Sequence, residues 1–241
     1  MTPSLTNRLI LWDIDHTLLS IGPVSREIYA VAFETVTGSR QTAMVDMAGR
    51  TEHAIIRDTL KLNGHEPNDD LVDSFYDALG QAALGLTDRM VSQGRALPGG
   101  REAIKAIGEA GGTQSLVTGN IRSIALAKLQ AFGLYEGLEL DTGGYGDHSS
   151  DRARLVEFAI AQTSAVIGTT FSPSATVVIG DTPNDVHGAH TAGAYVVAVA
   201  TGHSSRAELL DAGADAALED LRDTRHLLQV IAQLTGSPAE D

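Results

Sequence analysis

The chain has no cysteine. That excludes disulfides, thiolate zinc sites and cysteine nucleophiles. Basic residues are scarce: 17 Lys and Arg stand against 31 Asp and Glu, a formal net charge of -14. Duplex nucleic acid and anionic membranes are held mainly by Lys and Arg, so this balance argues against both as partners. Phosphate binding stays open to such a chain, through a metal ion or a local cluster of donors. Lysine occurs only at Lys61, Lys105 and Lys128. No apolar run reaches transmembrane length, and the opening MTPSLTNR lacks the basic region and apolar stretch of a secretory signal. A soluble, cytoplasmic protein is the expectation, and nothing in the sequence implies a protein partner.

What is present is a core. With 241 residues, 43% of them hydrophobic, the chain can bury one or two domains. Short apolar runs read as strands: RLILWDID, TQSLVTG, ATVVIGD and AYVVAVAT. Near-continuous apolar runs of this length suit strands buried on both faces. Between them GREAIKAIGEAGG, NIRSIALAKLQAFG, DRARLVEFAIAQTSAVIG and PNDVHGAHTAGA carry helical apolar spacing, and several close on glycine. The alternation predicts an α/β fold with a doubly wound, mostly parallel sheet. From about Leu18 to Arg95 the alternation stops. VSREIYAVAFETVTG, TEHAIIRDTLKLNG and NDDLVDSFYDALGQAALGLTDRMVSQG all read as helices, and LPGG at Leu97–Gly100 marks the return to the core. The expected organisation is a core of residues 1–17 and 97–241 with a helical insertion at 18–96. The polar end, TGSPAED, is expected to fray.

Ligands of open α/β sheets bind outside the carboxyl ends of the strands. The first strand ends in Asp13-Ile14-Asp15, the second in Thr118-Gly119-Asn120, and a later one in Gly180-Asp181-Thr182-Pro183-Asn184-Asp185. Residues i and i+2 of an extended segment point the same way, so Asp13 and Asp15 lean into one space if extension continues. Carboxylates crowded there repel one another. A hard divalent cation resolves this, and Mg²⁺ prefers a few carboxylate oxygens, water and substrate phosphate.

These residues carry a resemblance. Asp13-Ile14-Asp15-His16-Thr17 resembles the DxDxT signature of the haloacid dehalogenase-like hydrolases, Thr118 after SLV is similar to their second motif, and GDTPNDV (Gly180–Val186) to their fourth. The resemblance spans nearly the whole chain and implies a Rossmann-like core with an inserted all-helical cap domain. It implies Asp13 as the nucleophile that becomes an aspartyl-phosphate, and Asp15 as acid and then base. It further implies Mg²⁺ held by Asp13, the Asp15 backbone carbonyl and Asp181 with Asp185 assisting, and Thr118 bonded to the phosphoryl group. These roles are chemically consistent: carboxylates serve as nucleophiles and as acid and base, and a cation offsets charge on the transferring group. The nearest branch is phosphoglycolate phosphatase-like, with a small phosphorylated metabolite as substrate. Alternatives are a β-phosphoglucomutase-like mutase and a catalytically silent binding protein on the same fold. A phosphonatase is disfavoured, because it needs a cap lysine and Lys61 is the only one there.

The sequence departs from the pattern at two points. No lysine lies where the third motif should fall. Arg152 and Arg154, at the start of DRARLVEFAI, are the candidates, since arginine supplies the charge and grips phosphate bidentately. Arg152, at the helix start, is favoured. His16 stands where glycine is common, and a fit to the turn is favoured over substrate contact. Among other candidates, Arg50 in GRTEHAI faces the substrate or else Thr51 merely caps the next helix, with neither preferred. Gly119, Asn120, Arg50 and Arg154 complete the expected substrate contacts. Thr118 and Asp181 are candidate helix caps, Asp185 could simply oppose a helix dipole, and His187 and His190 read as partly exposed helix residues rather than metal ligands.

Overall fold

A computed structural model describes residues 3–47 and 49–236. Residues 237–241 of the polar terminal stretch lie outside the described residues. The first apolar run forms β1 (Leu9–Trp12), followed by a two-residue strand β2 (Leu19–Ser20). Four helices come next: α1 (Val24–Thr37), α2 (Glu52–Leu62), α3 (Asp69–Gly85) and α4 (Thr87–Gln93). Then follow β3 (Arg95–Ala96), α5 (Gly100–Glu109), β4 (Thr113–Leu116), α6 (Arg122–Phe132), α7 (Arg152–Ile167), β5 (Thr176–Gly180), α8 (Pro183–Thr191), β6 (Tyr195–Val199), α9 (Arg206–Asp211), β7 (Ala216–Leu218) and α10 (Thr224–Leu234).

Five strands make one parallel sheet in the order β4-β1-β5-β6-β7. Its period of two is visible in the packing. Leu9, Leu11, Val178, Val196 and Ala198 join a core with α7, α8 and α9. Ile10, Trp12, Val177, Ile179 and Val197 face the opposite side, where α5, α6 and α10 pack. Both faces are covered, which is why the strands read as unbroken apolar runs. The buried Trp12 indole donates to Gln114 Oε1 at 3.0 Å, and Gln114 Nε2 donates to the Ile104 carbonyl at 2.9 Å. Neither polar group is stranded.

The insertion differs from expectation in detail. Its ends meet as an antiparallel pair, Leu19 opposite Ala96 and Ser20 opposite Arg95, in a stretch that read as free of strand. The single helix expected at Asn68–Gly94 is broken at Leu86. Gly85 is a weak helix former, and the Thr87 hydroxyl donates to the Leu84 carbonyl at 2.9 Å, closing the first helix there. Tyr29, Phe33 and Phe75 are buried where α1 meets α3, with ring centroids 6.0 and 6.2 Å apart. No helix of the described residues is long and apolar enough to cross a membrane.

Candidate active site

β1 lies between β4 and β5, so its end opens on the rim with a strand on either side. The Asp13 amide still donates to the Ile179 carbonyl at 2.8 Å, which fixes its carboxylate there. The chain then turns tightly. The amides of Thr17, Leu18 and Leu19 all point at the Ile14 carbonyl, and His16 adopts φ 60°. Left-handed backbone is uncommon for a non-glycine residue, although histidine tolerates it better than most. The turn reading of His16 therefore holds, but its ring also lines the cavity below.

β5 ends at Gly180, and Thr182 starts α8 as its N-cap in a reciprocal capping box with Asp185. Asp181 is therefore not the cap. Thr118 is not one either, because Ile121 occupies that position before α6 without a side-chain cap bond. Both side chains face the site instead. Asp185 does serve the helix start, accepting from the Thr182 hydroxyl at 2.7 Å, and its other oxygen pairs with Arg152.

Ligand oxygens of Asp13, Asp181 and Asp185 lie within 4.8 Å of one another, all buried. The cation paired with this group is Arg152, whose guanidinium donates to Asp13 Oδ1 at 2.8 Å and to Asp185. Asp151 caps α7 by accepting from the Ala153 amide at 3.0 Å, and so holds Arg152 at the helix start, facing the rim. Among the described residues Asp181 has only a long bond from the Thr17 hydroxyl, at 3.4 Å. Three carboxylates against one guanidinium leave excess negative charge. Burial pushes Asp13 above the ordinary carboxylate range, with Arg152 pulling back and Asp185 adding to the rise. Burial also raises Asp181, and the neighbouring Asp13 and Asp185 charges raise it further. An all-oxygen, anionic set of this kind fits a small hard divalent cation.

A stability prediction follows from the sign of these shifts. In the metal-free protein the folded state retains protons that the unfolded chain has released above about pH 4. Folding then becomes less favourable as pH rises. In EDTA the melting temperature should fall between about pH 5 and pH 8, and a divalent cation should restore it at the upper end. A flat profile in EDTA would show that the cluster carries no such excess charge.

Asp15 faces a different partner. Lys128, on α6 and only 4% exposed, donates to both Asp15 oxygens at 2.8 and 2.6 Å and to Asn120 Oδ1 at 2.7 Å. Asn120 Nδ2 donates to Asp15 at 2.7 Å and to the Thr118 hydroxyl at 2.8 Å. Burial would raise Asp15, but the Lys128 charge and these hydrogen bonds outweigh it and hold the carboxyl below its ordinary range. Lys128 had no assigned role in the sequence reading; Asn120 lies in the loop just before α6, and Lys128 reaches it from inside that helix. Lys128→Met should cost about 1–3 kcal/mol in denaturant unfolding. That is less than a fully buried pair, because the Asp15 side chain is 35% exposed.

These groups line a cavity of about 570 Å³ between the sheet rim and the helical insertion, a volume suited to a small ligand. The insertion reaches it through Gly49–Glu52. The Glu52 amide donates to the Gly119 carbonyl at 2.7 Å, and Asn184 Nδ2 donates to the Gly49 carbonyl at 2.7 Å. A Cβ at Gly119 would sit 2.1 Å from the Arg50 carbonyl oxygen, so only glycine permits this approach. Thr51 caps α2, and Arg50 lines the cavity while bonded to Asp58. Glu52, buried and bonded by the Tyr29 hydroxyl, was not foreseen; burial pushes its carboxyl up to about 8. Arg154 is not brought to the site. It is exposed, pairs with Glu157 and does not line the cavity. His190 pairs with Asp215 away from the rim.

Residues 152–224 match the family model described as HAD-hydrolase-like. No curated protein matches the sequence significantly. Solved structures match along nearly their whole length. A family IA, variant 3 HAD hydrolase from Entamoeba histolytica is 18% identical, with TM-score 0.68, over 93% of this chain and 99% of that one. A predicted phosphoglycolate phosphatase from Haemophilus somnus is 17% identical, with TM-score 0.60, over 93% and 98%. CbbY from Rhodobacter sphaeroides, in complex with xylulose-(1,5)bisphosphate, is 18% identical, with TM-score 0.69, over 90% and 95%. The fold is that of the HAD-like hydrolases. At these identities the likeness establishes the HAD-like architecture and leaves the chemistry to the residues on the rim.

Proposed function

We propose that the chain is a Mg²⁺-dependent phosphatase of a small phosphorylated metabolite, working through an aspartyl-phosphate on Asp13. One observation carries the reading. Asp13 sits in the buried carboxylate cluster under Arg152, with Asp15 two residues further on held by Lys128, and all four line one cavity. Asp13 Oδ attacks phosphorus while the bond to the ester oxygen breaks. To serve as acid, Asp15 must first take up a proton from solvent against the pull of Lys128; it passes that proton to the ester oxygen, and the ionised form that Lys128 favours then takes a proton from the water that hydrolyses the acyl phosphate. Asp13, the Asp15 carbonyl and Asp181, with Asp185 assisting, would hold Mg²⁺, which would supply positive charge for the phosphoryl oxygens. The Arg152 guanidinium lines the cavity beside Asp13, so its charge would offset that of the phosphoryl group. The Thr118 hydroxyl, which accepts from Asn120 Nδ2 and lines the same cavity, would donate to the phosphoryl group as well.

The test is phosphate release from p-nitrophenyl phosphate, with Mg²⁺ and with EDTA. Mg²⁺-dependent release is expected. No release beside a working control removes the reading. Interconversion of sugar phosphates that needs a bisphosphate would assign the same residues to a mutase instead.

A further inference from the structure

A second cavity, of about 330 Å³, lies outside the first, where α7 and α8 begin and the insertion passes into α2. The two share four lining residues: Gly49, Arg50, Arg152 and Asn184. The wall between them is thin. Asn184 Nδ2 donates to the Gly49 carbonyl at 2.7 Å, and the Asn184 side chain is exposed. A Cβ at Gly49 would come within 2.8 Å of Thr182 Oγ1 and 2.9 Å of Asn184 Nδ2, so a bare backbone closes the gap. Arg152 crosses the same wall. Its guanidinium holds Asp13, while its stem runs along α8, where a Cβ at Gly188 would sit 2.6 Å from Arg152 Cγ. Glycine is a weak helix former, and its place inside α8 is explained by the room it leaves for this stem.

The insertion is not held equally on its two sides. On one side α3 and α4 pack on α6, in a single apolar cluster that includes Phe75, Leu79 and Met90 with Ile124 and Leu129. Gly80 and Ser123 meet so closely there that a Cβ at Gly80 would lie 2.8 Å from Ser123 Oγ. On the side of the second cavity the described contacts are polar: the Asn184–Gly49 bond, and the Glu52 amide on the Gly119 carbonyl. Parting an apolar interface exposes its whole area to water, whereas an exposed amide exchanges its bond for one to water at small net cost. We infer that the second cavity is the exit for inorganic phosphate: when the Asn184–Gly49 bond breaks, the two cavities join beside Arg152, and phosphate leaves there while the insertion stays packed on α6. Ser150, His187 and Thr191 line this route without lining the first cavity, and none has a side-chain partner. Their hydroxyls and ring N–H groups solvate an oxyanion in passage without a fixed charge to detain it.

The inference rests on the phosphatase reading for phosphate as the product, but its test does not need turnover. A route sets the rates of binding and release together and leaves their ratio alone, so a blocked exit slows both and keeps Kd. Calorimetry gives Kd for inorganic phosphate on the full chain with Mg²⁺, and ³¹P exchange spectroscopy gives the release rate. Ser150→Trp and His187→Trp obstruct the route from opposite walls at exposed positions. Each should slow release by about fivefold or more at unchanged Kd, since k_off responds to access as well as to affinity. Asn184→Ala removes the side chain that closes the wall and should speed release. Release rates unchanged in both tryptophan variants overturn the inference. So do rates that change only as Kd changes, slower release in Asn184→Ala, or a wild type that binds no phosphate. Turnover of p-nitrophenyl phosphate with unchanged release rates keeps the phosphatase reading and removes the exit. Slowed exchange without turnover keeps the route and counts against the phosphatase reading.

Discussion

Asp13→Asn should lower turnover of p-nitrophenyl phosphate by about 10⁴-fold or more, the scale on which losing a covalent nucleophile acts. The same substitution should leave the metal-free protein at alkaline pH more stable than the wild type, not less. An asparagine has nearly the shape of the aspartate it replaces and keeps a side-chain oxygen for Arg152, which now donates at 2.8 Å. What it removes is one of three buried negative charges facing a single guanidinium. Burial already raises the Asp13 carboxyl above its ordinary range, so its ionised form is a cost to the fold once pH exceeds that range. Thermal melts in EDTA and with Mg²⁺ separate the two effects. The variant should melt higher in EDTA and gain less from Mg²⁺. A variant that melts lower in EDTA would mean that Asp13 serves the fold before it serves any chemistry.

The rim carboxylates were legible in the sequence because the rule that finds them is local. Asp13 and Asp181 directly follow apolar runs that become β1 and β5, and strand ends in a parallel sheet face one crevice. Thr118 lies two residues past the end of β4, after Val117. Lys128 falls outside any such rule. Its partner, Asp15, lies 113 residues away in sequence, and no local pattern marks their meeting. Arg26 and His203, which line the cavity, belong to an α1 turn and a loop after β6, where no periodicity marks them for it. The β2–β3 pair escaped for another reason. Two residues carry no alternation, and these strands form only because the ends of the insertion come together. The three residues of β7, Ala216–Leu218, are equally short for a period to show.

Arg152→Met carries the second large effect. It should cost about 3–5 kcal/mol of stability in the metal-free protein and lower turnover by about 10³-fold. The side chain is 10% exposed, against 9% for Asp13 and 1% for Asp185, so deleting the cation strands two carboxylates that water barely reaches. Methionine fills much of the space of the stem, so the loss reports the charge and its hydrogen bonds rather than a cavity. Mg²⁺ should recover part of the stability, because a cation on the same oxygens offsets the repulsion. It should recover little of the activity, since the arginine charge beside the phosphoryl group is gone. Arg152→Lys restores the charge, but the shorter side chain must bring its ammonium to the place of Nη2, the one nitrogen that donates to both Asp13 and Asp185, and it lacks the other guanidinium donors; it should fall between the two. Arg154→Met is the control. Its partner Glu157 lies three residues on along the exposed face of α7, and a surface pair of that kind contributes about 0–1 kcal/mol. If Arg154→Met impaired turnover as much as Arg152→Met, the residue standing in for the missing lysine would be Arg154, and the cluster at Asp13 would need another source of positive charge.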